Sequence, residues 1–479
     1  MIKFNRKNKF DINIDSSIAG ISRQTMEAII QEWYQSDNAP PDIAADLPKD
    51  DANKVLDLMH ECIKVEGGEI SKHAKIVHLA LIYINLNEQG KGRFLRLIAR
   101  KMDVDTNLLN SRINELKDAD NEQDRINAEL NLRASLIPPR VKLLRKFITL
   151  PNGFIFLKDM RRDLIPRIKC VPRLQKLDND IKQILISYFD VNLLDMREIT
   201  WNSEAATLEK LMEYEAVHAI HSWKELKKRL FTDRRVYAFF HNRMPNDPLI
   251  FVEVAFVNGM ASSIQKLLDV NVKPMDPKLA DTAIFYSISS TQKGLKGISF
   301  GNFLIKRVVE RVSNEFPNVR TFATLSPIPR FMIWLKTYLE NKSDLLLKRS
   351  EMKKIFLQSS EKEDVHLAIK ELINKKSWFN NEVICAVLKK PLMRLCAYYL
   401  TNVKFKNKAY DSVANFHLTN GAKIQHIRWL GDISEKGVKQ SLGMMVNYHY
   451  RLNKIVDNHE NYLTNGSIYA SKEVSSYLK

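Results

Sequence analysis

Asp281–Asn302, DTAIFYSISSTQKGLKGISFGN, is the stretch around which the rest of the chain arranges itself. Its opening run, Ala283 to Ile288, is apolar and rich in strand-forming residues, broken only by Ser287. Ser289, Ser290 and Thr291 then lead into a loop holding Gly294, Gly297 and Gly301. Directly after it, Leu304, Ile305, Val308, Val309 and Val312 fall on one helical face, and Pro317 stands where that helix should end. The chain has 15 glycines in 479 residues, so three within eight positions call for a cause. One cause is turn geometry. The other is an anion: a strand, a glycine loop and a helix start expose backbone N–H groups that suit a phosphate. The spacing is neither a Walker loop nor GxGxxG.

Working towards the C-terminus, the apolar runs Val236–Phe240 and Leu249–Val257 read as strands, bounded by Asn242, Pro245, Pro248 and Gly259. The second is apolar on both faces except at Glu253, as in a central strand covered by helices; that residue is either a catalytic carboxylate or, as expected of a buried acid, a structural one paired with a nearby base or backbone donor. A short helix is expected over Ser263–Leu268, a strand over Phe322–Leu325, and a helical insertion over about 331–400. Ala414–Leu418 and Ile424–Leu430 are expected to return to strand. Lys436–Val456 is expected to be a helix with Met444, Met445, Tyr448 and Ile455 facing inward. Working towards the N-terminus, residues 1 to about 190 read as helical, with stripes such as Val55, Leu58, Met59 and Cys62, and more helices follow Pro172. Gly90-Lys91-Gly92 reads as a helix–helix turn. The fold class is therefore α+β: an all-helical domain, 1–190, then a sheet-containing domain, 191–479.

With 45% hydrophobic and 27% charged residues there is ample material for packed cores, and no run approaches the 18 to 20 apolar residues, roughly, of a membrane span. A formal charge of +18 favours polyanionic partners and by itself leaves nucleic acid open. Cys62, Cys170, Cys385 and Cys396 lie too far apart for a CxxC pair, so reduced thiols and no structural metal are expected; Cys385, in an apolar run, is expected to be buried. The basic N-terminus lacks an apolar core and is poor as a presequence, and Tyr477-Leu478-Lys479 is not a peroxisomal address; the expectation is cytoplasmic.

The runs NDPLIFVEVAFVNGMASSIQ, DTAIFYSISSTQKGLKGISFGNFLIKRVVE, TLSPIPRF, ANFHLTNGA and SEKG…GMMVNYHY, in this order, resemble the malonyl-CoA decarboxylase family. The resemblance is close over the C-terminal half. It implies a GNAT-like, acyl-CoA N-acyltransferase-type catalytic domain and the conversion of malonyl-CoA to acetyl-CoA and CO2 without metal or biotin, CoA being part of the substrate. It further implies a homo-oligomer, a tetramer included, and no nucleic-acid partner. The phosphates of CoA would then lie on Gly294 and on Lys296, Gly297, Ile298, Ser299, Phe300, Gly301 and Asn302. The nearest acetyltransferase-like register is Lys296-x-x-Ser299-x-Gly301, in which a serine replaces the middle glycine. His417 matches the histidine of the family's NFHL motif and would protonate the enolate; an ordinary imidazole pKa of about 6.5 suits that task. Ser326 matches the serine of LSPIP, with an acid/base or carboxylate-orienting role. Asn415 and Tyr450 would line the substrate site. Two alternatives stay open: another acyl-CoA activity, such as acyl transfer or methylmalonyl-CoA decarboxylation, and a basic polyanion-binding protein without catalysis.

Overall fold

A computed structural model describes residues 27–29, 43–64, 69–188, 194–298, 303–341 and 347–479. Two compact units emerge. One holds Met1–Leu194 with the excursions His241–Asp247 and Gln292–Ser299; the other holds Asp195–Phe240, Pro248–Thr291 and Phe300–Lys479.

The first unit is helical: α1 Lys49–Ile63, α2 Glu69–Asn85, α3 Glu88–Lys101, α4 Thr106–Lys117, α5 Glu122–Ser135, α6 Pro139–Phe147, α7 Gly153–Leu164 and α8 Leu174–Ser187. Val55, Met59 and Cys62 are buried on one face of α1, as the spacing requires. Gly90-Lys91-Gly92 is not a turn between helices; it forms the first turn of α3. Asn87 caps that helix, its side chain accepting from Gly90 N at 2.9 Å, and a Cβ on Gly90 would stand 2.2 Å from the Ala45 carbonyl.

The second unit is built on a mixed sheet. Its strands are β1 Leu194–Ile199, β2 Arg234–His241, β3 Ile250–Val257, β4 Thr282–Ser290, β5 Thr321–Thr324, β6 Ser326–Pro327, β9 Lys423–Arg428 and β10 Met445–His449; β7 Lys404–Phe405 and β8 Lys408–Ala409 pair with each other in a separate two-stranded sheet. The order is β1-β2-β3-β4-β5-β10-β6, with β9 on β10. Only β4 and β5 run parallel among the registered pairs, joined through the helix Phe303–Glu315. β1 falls in a stretch expected to be helical. Its inner residues Asp195, Arg197 and Glu198 are charged and carry no strand signal, and neighbour pairing with β2 makes it a strand. Ile199, Leu208, Leu211, Leu226, Val236, Ala238, Phe240 and Phe251 pack one side of the sheet. On the other side Phe316, the residue just after the crossover helix, meets Phe256, ring centroids 4.6 Å apart. Glu253 is fully buried and pairs with Arg229, Oε2 to Nη1 2.6 Å, as a buried carboxylate must.

Helices Phe331–Glu340, Arg349–Gln358, Val365–Asn374 and Glu382–Asn402 form the insertion. Cys385 within it is half-buried rather than buried, its thiol donating to the Phe379 carbonyl at 3.2 Å.

Two C-terminal expectations are overturned. Ala414–Leu418 lies in a helix, Ser412–Thr419, because Asp411 caps it by accepting from Val413 N and Ala414 N at 2.9 and 3.0 Å. The stretch Lys436–Val456 is not one helix: Glu435–Ser441 stops where Leu442 and Gly443 take left-handed backbone (φ 54° and 77°). Met445–His449 then forms β10, pairing with β9 Lys423–Arg428, with β5 and with β6, and Ile455–Asn465 begins a new helix.

Candidate active site

The segment Thr324-Leu325-Ser326-Pro327 runs from β5 into β6, where Ser326 and Pro327 register with Val446 and Met445 of β10. Proline cannot donate to a ladder, so β6 stays two residues long and sits at the sheet's edge. Strand pairing thus fixes the Ser326 side chain, which is 5% exposed, and Tyr450 follows β10 by one residue, its N–H donating to the Phe322 carbonyl at 2.8 Å.

His417 arrives from elsewhere, on the last turn of the Asp411-capped helix. Asp411 Oδ2 also accepts from Arg330 N (3.2 Å) and from the Tyr399 hydroxyl (3.3 Å), so one carboxylate ties the histidine's helix to the chain just beyond Ser326. Burial raises the Asp411 pKa above the ordinary carboxylate value, against the pull of its backbone donors.

The result is a row of hydrogen bonds. Tyr450 Oη lies 2.7 Å from His417 Nδ1, His417 Nε2 lies 3.0 Å from Ser326 Oγ, and Ser326 Oγ donates to Thr324 Oγ1 at 2.9 Å. Thr324 Oγ1 in turn accepts from Tyr448 N at 3.1 Å. With the Ser326 proton turned to Thr324, Nε2 carries the imidazole proton and Nδ1 accepts from Tyr450, an assignment drawn from the network. The Tyr448 ring stacks on His417 at 4.6 Å and 25°, and its buried hydroxyl has no partner among the described residues. Burial pushes the His417 pKa down to about 3. The ordinary value near 6.5 therefore does not apply to the unliganded site: His417 is a neutral, oriented imidazole there.

The other candidates lie apart from this row. Asn415 Oδ1 accepts from the Tyr462 hydroxyl at 2.7 Å. In the helical unit, Leu295–Ile298 closes a turn, Ile298 N to Leu295 O 3.0 Å, with Gly297 at φ 77°. That is a type II turn, whose third position wants glycine. A Cβ on Gly294 would stand 2.0 Å from the Lys158 carbonyl, so close approach explains that glycine. Arg161, buried and paired with Asp178 at 2.8 Å, donates to the carbonyls of Gly294 (2.7 Å) and Lys296 (2.8 Å). Lys296 and Gly297 are exposed and Ile298 is buried. Ser299, Phe300, Gly301 and Asn302 lie outside the described residues. Among the described residues no group of three or more His, Cys, Asp or Glu side chains is arranged to hold a metal ion.

Thr324, Asp411 and Arg161 are contributors that sequence reasoning missed. Only Asp411 left a signal, an Asp-Ser-Val start typical of a helix cap.

Residues 192–479 match the family model described as malonyl-CoA decarboxylase C-terminal domain, more than half of the chain, and residues 102–189 match its N-terminal domain. The chain belongs to the malonyl-CoA decarboxylase family. The mitochondrial malonyl-CoA decarboxylase of Anser anser anser is 37% identical over 366 residues, 74% of this chain and 72% of that protein. The Rattus norvegicus one is 37% identical over 371 residues, 74% of each. Among solved structures, the family member from Rhodopseudomonas palustris superposes with a TM-score of 0.81 at 36% identity, covering 89% of this chain and 99% of its own. The one from Agrobacterium vitis follows at 0.78 and 33%, covering 89% and 100%.

Proposed function

We propose that this chain, a carboxy-lyase of its family, carries out malonyl-CoA + H⁺ → acetyl-CoA + CO2 at Ser326, His417 and Tyr450. The row Tyr450–His417–Ser326 supports the reading, being two hydroxyls and an oriented imidazole in a buried setting. In the reaction the bond between the α-carbon and the carboxylate breaks, and its electron pair forms the thioester enolate as CO2 leaves. Charge grows on the thioester oxygen, where fixed hydroxyl and N–H donors stabilise it most. A proton then adds at the α-carbon.

His417 is the group assigned to supply it, through Nε2. Tyr450 donating to Nδ1 keeps the mobile proton on the side facing Ser326. In the unliganded site burial keeps the ring neutral; a malonyl carboxylate beside it favours the imidazolium, in which Nδ1–H donates to the turned Tyr450 hydroxyl and Nε2–H is the proton delivered. Ser326 orients the carboxylate or the developing oxyanion. The phosphates of CoA are assigned to the loop from Gly294 through Asn302. A carboxylate β to a thioester already has its electron sink, so this route calls on no metal or biotin.

The test is CO2 and acetyl-CoA release from malonyl-CoA by purified protein, with EDTA and avidin present. Stoichiometric products support the reading. Free CoA thiol formed only with an added amine would replace it with acyl transfer. The same reading takes the enzyme as a cytoplasmic homo-oligomer, with all four cysteines free. Cell fractionation and sedimentation test both, and recovery in mitochondria would overturn the cytoplasmic assignment.

A further inference from the structure

Beside the Leu295–Ile298 turn stands a cation that has no partner among the described residues. Lys182 lies on α8, one turn beyond Asp178, and is half-buried. A Cβ built on Gly297 would begin 3.6 Å from Lys182 Nζ. Among the described residues Lys182 makes neither an ion pair nor a hydrogen bond. The carboxylate one turn away on its own helix, Asp178, is already held by Arg161 at Nε and Nη2.

The backbone of the same turn points the same way chemically. Arg161 draws the Lys296 carbonyl towards itself at 2.8 Å. The peptide unit is planar and trans, so the Gly297 N–H is aimed away from that guanidinium. Among the described residues that N–H has no acceptor. With no Cβ at 297, a ligand can come close to the backbone and to Lys182 together. Lys293 and Lys296 are exposed on the same short loop and add positive field. An unpaired ammonium and an unpaired N–H beside one left-handed glycine make a site for an anionic oxygen.

We infer that Lys182 is a ligand for one of the phosphates of CoA, sharing it with the Gly297 N–H, and that Arg161 is the positioning residue that holds the turn for it. This rests on the CoA reading above and extends it to Lys182. The phosphate is either part of the pyrophosphate or the 3′-phosphate.

Calorimetric titration of the full-length wild type and of Lys182→Gln with CoA, dephospho-CoA and pantetheine tests this. Lys182→Gln should weaken CoA roughly tenfold, the scale of one charge-assisted hydrogen bond, and Lys182→Arg should recover part of it. Pantetheine, without phosphates, should bind both proteins alike. A penalty kept with dephospho-CoA puts the contact on the pyrophosphate; one that disappears puts it on the 3′-phosphate. Equal CoA affinity in wild type and Lys182→Gln would overturn the inference, as would an equal loss for pantetheine. Wild type that binds CoA with the Lys182 penalty yet releases no CO2 would leave this contact standing and remove the decarboxylase reading. Wild type that binds no CoA would remove both.

Discussion

Ser326 and His417, 91 residues apart in the chain, meet at 3.0 Å through Oγ and Nε2, and the opposite ring nitrogen is taken by Tyr450. The imidazole is thus held at both nitrogens inside a site where it is only 3% exposed. Position and tautomer are set before any substrate arrives, which is what proton delivery to a short-lived carbanion needs.

Replacing His417 by Asn should therefore lower kcat by about 10²–10⁴, the usual contribution of a placed acid, with KM little changed. Tyr450→Phe keeps the ring and loses only the donor at Nδ1; a fall of roughly ten- to hundredfold in kcat is expected from one buried hydrogen bond. Steady-state CO2 release measures both. Wild-type turnover by His417→Asn would remove the histidine from the mechanism.

Stability should carry the mark of the buried histidines. Burial pushes His417 down to about 3 and His218 down to about 4, whereas either ring titrates near 6.5 in the unfolded chain. Between those values the unfolded state binds more protons. The contribution is complete above about pH 6.5 and is lost as pH falls. Glu253 has the opposite sign: burial pushes its native pKa up to about 7, so its contribution is present at low pH and lost as pH rises through that value. Subtracting urea-unfolding curves of His417→Asn from wild type isolates one proton. The difference should change by up to about 1.4 kcal/mol per pH unit between about pH 6 and 4. Parallel curves would mean that the native ring is not held neutral.

Gly294→Ala places a methyl group 2.0 Å from the Lys158 carbonyl, a backbone atom of α7 that cannot swing aside. The expected cost is roughly 1–3 kcal/mol, with faster hydrogen exchange over 292–298. An unchanged melting temperature and unchanged exchange would show that this loop does not pack on α7 as described.

The Arg229–Glu253 pair should be worth more by its breaking than by its presence. Arg229→Met leaves a fully buried carboxyl without its cation and should cost about 3–5 kcal/mol. Adding Glu253→Leu should restore much of that loss. A double variant no more stable than Arg229→Met would show that the Arg229 hydrogen bond to the His218 carbonyl (2.6 Å), not the ion pair, carries the effect.

The central strands were legible because burial on both faces demands continuous apolar runs. Ile250–Val257 and Thr282–Ser290 show such runs, and the 3.6-residue spacing of Leu304 to Val312 marks the helix after them. The site was legible only through motif likeness: a lone His417 in an apolar run has no signature of its own. Ala414–Leu418 misled for a related reason, since five mostly apolar residues suit strand and helix alike and the Asp411 cap decides between them.

By itself, then, the sequence determined which segments must be buried, and so much of the helical part, the central strands β2 to β5 and the glycine-bearing stretch after β4, but not β1 or β10. Periodicity and turn chemistry act over a few residues and are written locally. Tertiary structure alone decided that Tyr450, His417, Ser326 and Thr324 form one hydrogen-bonded row, and that Arg161 reaches the carbonyls of Gly294 and Lys296 from more than 130 residues away. Those contacts depend on strand register and helix placement across the whole chain, and no local pattern encodes the few ångströms in which a hydrogen bond either forms or fails.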